Sequence, residues 1–299
     1  MKIAMKTYQY ITTSIDQRGV AQLVLNRPDV HNAFDDIMIG ELIQALDSFA
    51  AHPQLRVLLL RSNGKNFSAG ADLGWMRSMA DKNYDENLLD AGELAKLMQK
   101  LDNFPAPTVA LVQGAAFGGA VGLVACCDIA IASDKASFCL SEVKIGLMPA
   151  VISPYVVRAI GERASRRYFL TAERFFATEA LHLGLLHQVV SDDELHGVSD
   201  AMVQTLLANS PAAVKAAKDL IFTVANQPTT QALIDETSRR IAAIRVSSEG
   251  QEGLSAFLQK RPPAWQLQDT AGSNTDASKT DASKTDKSDS AATASKGQA

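Results

Sequence analysis

The 299-residue sequence is notable first for what it lacks. It has three cysteines, Cys126, Cys127 and Cys139, with no C-x-x-C pair and no histidine at ligand spacing. That argues against a disulfide framework and against a metal site, and it reads as buried free thiols in a reducing compartment. No apolar run approaches the ~20 residues that span a bilayer. Lys2 and Lys6 lead into no apolar segment of the secretory-signal kind, so a cytoplasmic protein with no membrane partner is expected. There is no G-K-[ST] and no G-x-G-x-x-G, which removes the Walker A loop and the dinucleotide fingerprint. No His/Asp/Ser ordering suggests a triad, and His31 and His187 read as loop residues. A net charge of −4 without a dense basic stripe speaks against a nucleic-acid partner.

What is present is an apolar, alternating chain. Hydrophobic residues make up 46 %, which fits a well-packed core. The last segment departs from this. From about Gln266 it consists mostly of Ser, Thr, Asp, Ala and Lys with a duplicated Thr-Asp-Ala-Ser-Lys, too polar to offset its ordering entropy. The chain therefore divides into a core over 1–200, a helical region over 201–265 and a disordered low-complexity tail over 266–299.

Within the core, Tyr8 to Ile15 and Val20 to Asn26 read as a hairpin about Asp16-Gln17-Arg18-Gly19. Phe34 to Ala50 has a helical period, Arg56 to Leu60 reads as a buried strand, and Leu88 to Phe104 as an amphipathic helix. Strand Thr108 to Val112 leads through glycines into a small-residue helix, Gly118 to Cys127, and then into strand Asp128 to Ala132. This alternation predicts an α/β fold, with short strands and long loops that suit a spiral of ββα repeats. After Pro149 the chain reads as mostly helical, with Ser210-Pro211 as one clear helix start.

Three short stretches carry the candidate chemistry. Gln113 to Gly122 ends a strand in glycines at a helix start, where backbone N–H groups are free. Gly118, Gly119 and Gly122 equally suit close helix packing. Phe67-Ser68-Ala69-Gly70-Ala71-Asp72 is a glycine turn with one acid, which a backbone donor or an arginine could pair. Glu142 stands alone in an apolar setting and must be paired, protonated or functional; a charge at a helix N-terminus is the alternative. Trp75, Met76 and Met79 read as an apolar wall.

The order and spacing of these stretches resemble the enoyl-CoA hydratase/isomerase (crotonase) superfamily from about Tyr8 to Trp265. The matching segments are Leu25-Asn26-Arg27-Pro28 with His31-Asn32-Ala33-Phe34, Phe67 to Leu73, Gly114 to Gly119, Cys127 to Ala132, Ser141 to Pro149, and Phe257 to Pro262. The resemblance implies a crotonase-like spiral of ββα repeats with a helical C-terminal region, an acyl-CoA substrate and no separate cofactor. It implies that the Ala71 and Gly119 N–H groups hold the thioester oxygen as an enolate forms, with Glu142 as acid and base. It places CoA against Asn32, Ala33, Ala69, Asp72, Leu73 and Gly118. It sets Phe257 and Lys260 over the nucleotide, often from a neighbouring subunit of a homotrimer or dimer of trimers.

One departure stands out. Hydratases of this family commonly use a second glutamate, and at its position this chain has Gly122. The fuller segments His31 to Asp36, Gly70 to Met76, Phe117 to Leu123 and Glu142 to Tyr155 resemble a bacterial subgroup of methylglutaconyl-CoA and γ-carboxygeranoyl-CoA hydratases, the former acting in leucine degradation. Substrates of that subgroup carry a distal carboxylate, and this group or a nearby residue is expected to compensate for the absent glutamate. Hydration of a 2-enoyl-CoA is thus the expected reaction. The competing readings are a Δ3,Δ2-enoyl-CoA isomerase and a catalytically weak CoA-binding or RNA-binding scaffold.

Overall fold

The computed structural model describes residues 6–266. The tail expected from Gln266 falls outside this range except for Gln266 itself, whose side chain donates to the Ala208 carbonyl at 2.8 Å.

The main sheet begins with the hairpin of β1 (Ile11–Ile15) and β2 (Val20–Leu25), paired antiparallel. It continues in parallel through β3 (Val57–Ser62), β4 (Thr108–Val112), β6 (Ile129–Ser133) and β9 (Gln188–Val190). The strands β3 and β4 are almost continuously apolar because helices cover both faces. Alternation along each strand sorts side chains to the two sides. Leu23, Leu58, Leu60, Ala110 and Val112 enter one core with α1 (Asp36–Ala50) and α3 (Tyr84–Asp102). Val57, Leu59, Val109, Leu111 and Ile131 enter a second core with Leu195, Val203 and Leu207 of α7 (Leu195–Leu207).

A small second sheet is what the linear pattern did not reveal. Between β4 and helix α4 (Gly119–Cys126) the glycine-rich stretch forms β5 (Ala115–Phe117), where the sequence suggested only a glycine-rich lead into the helix. It pairs with β7 (Ser137–Cys139), which pairs with β8 (Phe175–Phe176). Two turns of the chain, from β4 to α4 and from β6 to the helix Ser153–Thr171, thus run from a main-sheet strand through a short strand to a helix. The turns after β2 and β3 are closed by the isolated bridges at Phe34 and Ser68, and together these make the ββα spiral. Segments of two or three residues carry too little pattern to be read as strands.

The remaining helices are α2 (Leu73–Ala80), α5 (Ser153–Thr171), α6 (Ala177–His182), α8 (Pro211–Val224), α9 (Gln231–Val246) and α10 (Ser248–Leu258). Helix α5 is interrupted at Gly161, whose φ of 76° breaks the helical geometry between its two halves. Helix α3 starts earlier than its apolar period suggested, because Asn83 and Glu86 form a capping box. All three cysteines are free and buried, and burial pushes the Cys127 thiol up to about 12, as expected of inert core thiols.

Candidate active site

The site is assembled where the two sheets meet. Main-chain bonds tie the 67–70 segment to β5: Phe67 N–H donates to Gln113 O at 2.8 Å, Ser68 N–H to Ala115 O at 3.0 Å, and Phe117 N–H to Ser68 O at 3.0 Å. The chain then turns at Gly70, with φ +93°, where a Cβ would lie 3.0 Å from the Phe117 carbonyl. Only glycine allows both the dihedral and the approach. Gly118 is the second such point, with φ 53° and ψ −126° at the start of α4. The next residues, Ala71 and Gly119, both border Phe34, which bridges to the first and sets its ring against the second.

Their N–H groups are available. Gly119 is the first residue of α4, so its N–H has no acceptor within the helix. Ala71 lies in an isolated β-bridge with Phe34, and the bonds of that bridge run from Phe34 N–H to Gly70 O and from Asp72 N–H to Phe34 O. The Ala71 N–H therefore takes no part in it.

Glu142 opens a short 3-10 helix, Glu142–Ile145, directly after β7. A Cβ at Gly118 would sit 3.3 Å from its Oε1, so the carboxylate lies against the glycine that starts α4. Its Oε2 is buried without a hydrogen-bond partner among the described residues. Burial pushes the carboxyl pKa above the usual range. The N-cap of that short helix, Ser141, makes no side-chain capping bond, and Glu142 is the acid of its first turn, so a favourable charge at a helix N-terminus accompanies its place against Gly118.

Gly122 lies one turn beyond Gly118 on the same face of α4. The space beside it is filled: a Cβ there would meet Ile152 Cγ2 at 2.2 Å and Met98 Sδ at 3.2 Å. Ile152 is 2 % exposed. The position expected to lack a glutamate is thus occupied by an apolar side chain from the loop before α5.

The residues expected at CoA fall into two groups. Asn32, Ala33, Ala69, Asp72 and Leu73 lie together, with Ala69 N–H donating to His31 O at 2.9 Å. Ala69 and Leu73 are exposed, whereas Asn32 and Ala33 are buried. Asn32 has its side chain fully engaged, donating to Asn63 O and Asn66 O and accepting from Arg27 N–H. Asp72 caps α2 by accepting from Gly74 N–H and Trp75 N–H, and it pairs with Arg27. Burial alone would raise its carboxyl, but those donors hold it below the usual range. Phe257, 82 % exposed, and Lys260 sit at the end of α10. Among the described residues no hydrogen bond or ion pair links either to the 32–34 or 69–73 segments. Trp75 packs into the core and donates from its indole N–H to Asp90.

One carboxylate oxygen of Glu142 is buried and unpartnered among the described residues beside Gly118, the residue before Gly119, and no cluster of three or more His, Cys, Asp or Glu among the described residues could hold a metal ion. Residues 16–268 match the enoyl-CoA hydratase/isomerase family model. The chain belongs to the enoyl-CoA hydratase/isomerase (crotonase) family. An enoyl-CoA hydratase from Shewanella pealeana is 56 % identical, with a TM-score of 0.83 over 86 % of this chain and 96 % of that one. A Legionella pneumophila protein described as an enoyl-CoA hydratase/isomerase (crotonase) is 50 % identical, with a TM-score of 0.83 over 87 % of this chain and 100 % of its own. The trans-2-decenoyl-[acyl-carrier-protein] isomerase of Streptococcus mutans is 30 % identical over 86 % of this chain and 97 % of its own.

Sequence reasoning alone did not single out Arg27, Phe34 or Ile152. Arg27 and Phe34 stand in a matching motif but carry no reactive group toward the site, and Ile152 looks like any core aliphatic. Arg27 offered one signal, a lone arginine with acids at Asp35 and Asp72 available to pair.

Proposed function

We propose that this protein hydrates a 2-enoyl-CoA thioester reversibly, with methylglutaconyl-CoA as substrate. The observation that carries the reading is Glu142, a half-buried carboxylate with one buried, partnerless oxygen, beside the start of α4. Its ionised form takes a proton from water as the water oxygen bonds to Cβ. The electron pair of the double bond moves onto the thioester oxygen, where the Ala71 and Gly119 N–H groups receive the negative charge. Each such donor contributes ~3 kcal/mol of barrier lowering. Glu142 then gives its proton to Cα and returns to the carboxylate, so one water is consumed and no other group changes. CoA lies along the exposed Ala69 and Leu73 and the half-buried Asp72, with the buried Asn32, Ala33 and Gly118 shaping the backbone behind them, and needs no further cofactor.

A second reading is favoured by Ile152. A Δ3,Δ2-enoyl-CoA isomerase needs one carboxylate to remove a proton from C2 and return it at C4, and an apolar side chain beside Gly122 suits a site without an activated water. Turnover of several enoyl-CoA esters, methylglutaconyl-CoA among them, in oxygen-18 water distinguishes the two. Label at Cβ supports hydration, and a shifted double bond without label supports isomerisation.

Phe257 and Lys260 would complete the nucleotide site from a neighbouring subunit of a homotrimer or dimer of trimers. Support comes from α8 and α9, which fully bury no residue, and from exposed Ile221, Ile241, Val246, Leu254, Phe257 and Leu258. A cytoplasmic setting fits such an enzyme, and no helix among the described residues is long and apolar enough to cross a membrane.

A further inference from the structure

We propose that Phe34 and Arg27 are positioning residues that set the distance and aim of the two N–H donors. This rests on the reading of Ala71 and Gly119 as the pair that receives the enolate oxygen.

Phe34 touches both donors, by different means. Its backbone grips the first: Phe34 N–H donates to Gly70 O at 2.9 Å and Phe34 O accepts from Asp72 N–H at 3.0 Å. These bonds fix the peptide planes on both sides of Ala71. In a bridge of this kind the central residue's own N–H faces the opposite edge, so the grip also aims it. The Phe34 side chain meets the second donor. Its Cζ and Cε2 would lie 2.9 and 3.0 Å from a Cβ at Gly119. The ring is 2 % exposed and closely packed. One residue thus spans the gap between two segments that are otherwise distant in sequence.

Arg27 locks that residue in place. Its guanidinium donates to Ala33 O at 2.7 Å, pairs with Asp35 at 3.1 Å and pairs with Asp72 at 3.2 Å. It therefore holds the chain immediately before and after Phe34, and the residue immediately after Ala71. It stacks 4.1 Å above the Tyr10 ring, and its side chain is 13 % exposed. Asp35 and Asp72 are in turn the N-caps of α1 and α2. The planar fork serves three acceptors at once, which a lysine ammonium on a flexible stem cannot reproduce with the same directions. A displacement of about 1 Å at a reacting centre can cost about 10²-fold in rate, so a frame of this stiffness has a direct kinetic consequence.

The test uses the full-length protein and acyl-CoA with a 13C-labelled thioester carbonyl, bound in a Glu142→Gln background to prevent turnover. Polarisation by the two donors lowers the carbonyl stretching frequency. Phe34→Leu removes the ring atoms facing Gly119, and Arg27→Lys keeps charge while losing the fork. Each is expected to shrink that downshift. With Glu142 restored, each is expected to lower kcat by about 10²-fold while KM changes less than about threefold. Gly119→Ala should be less harmful in the Phe34→Leu background than alone, because the smaller side chain leaves room for the new methyl. Full downshift and full kcat in folded Phe34→Leu and Arg27→Lys proteins would overturn the frame. Should Phe34→Leu not fold, Arg27→Lys and the Gly119→Ala comparison with wild type still decide it. Absence of any downshift in the parent protein would instead sink the reading of Ala71 and Gly119 on which the frame rests.

Discussion

Ile152 fills the volume into which a side chain at Gly122 would project, with its Cγ2 2.2 Å and its Cβ 2.8 Å from the position of a Cβ there. The missing second glutamate is therefore no vacancy that one substitution could refill. Gly122→Glu alone must displace a buried isoleucine and bury a carboxylate among apolar atoms. Its expected cost is about 3 kcal/mol or more, read from urea unfolding. Adding Ile152→Ala should recover at least about 1 kcal/mol of that, a non-additive response expected of residues in direct contact. If the distal carboxylate of methylglutaconyl-CoA compensates for the absent glutamate, the double variant gains hydration of crotonyl-CoA relative to methylglutaconyl-CoA. An unchanged ratio between the two substrates removes that explanation.

Gly118 carries two constraints at once. Its φ of 53° and ψ of −126° lie where side chains are disfavoured, and Glu142 Oε1 stands 3.3 Å from the would-be Cβ. Gly118→Ala should destabilise by about 2 kcal/mol from the backbone alone. It should also push the carboxylate out of line and lower kcat by about 10²-fold. Wild-type kcat in a folded Gly118→Ala protein would separate Glu142 from the chemistry.

The helical C-terminal region is tied to the core by Lys218 of α8. Its ammonium donates to Asp128 Oδ2 at 2.7 Å and to Ala106 O at 3.2 Å. Asp128 also accepts from the Thr108 N–H and hydroxyl, so it joins α8 to the ends of two central strands. Removing one partner of this half-buried pair leaves the other's charge partly uncompensated. Lys218→Met is expected to cost about 1–2 kcal/mol, and Lys218→Met with Asp128→Asn less than Lys218→Met alone. Equal stability of Lys218→Met and wild type in thermal unfolding would show that the bridge does not anchor the helix.

Much of this architecture was legible in the chain. Strand Thr108 to Val112 matches β4 residue for residue, and α8 begins at Pro211 as the Ser210-Pro211 signal required. Periodicity succeeds where an element is long and one-sided. It fails for Ala115–Phe117 and Ser137–Cys139, whose strand character comes from each other and from Ser68, not from their own composition. The site shows the same division. Glu142 was visible as an isolated acid in apolar surroundings, a local property. The occupant of the space beside Gly122 was not, because Ile152 approaches from another element and nothing in a linear pattern reports which aliphatic faces which glycine. Arg27 illustrates the intermediate case: its acids are in the sequence, but only the fold puts Asp35 and Asp72 on one guanidinium.

Glu142 links stability to activity through one proton. Burial raises its folded-state pKa above that of the unfolded chain, about 4.3 for a free glutamate. Between those two values the native state binds more protons than the unfolded state. Stability therefore falls as pH rises from the unfolded pKa through the folded one, and the loss persists above it. Glu142→Gln removes the charge and its desolvation cost, so the variant should melt higher than wild type at pH 7, with the gap closing as pH falls below 4. The same substitution removes the group that moves the proton, and turnover of every accepted enoyl-CoA should drop by about 10²–10⁴-fold. In wild type, kcat/KM for the direction in which Glu142 acts as base should rise with pH along a limb set by that raised pKa. A stabilised but inactive Glu142→Gln protein is the result expected of a carboxylate held in an unfavourable place for its chemistry. A destabilised variant, or one that keeps full turnover, would mean that Glu142 serves the fold instead.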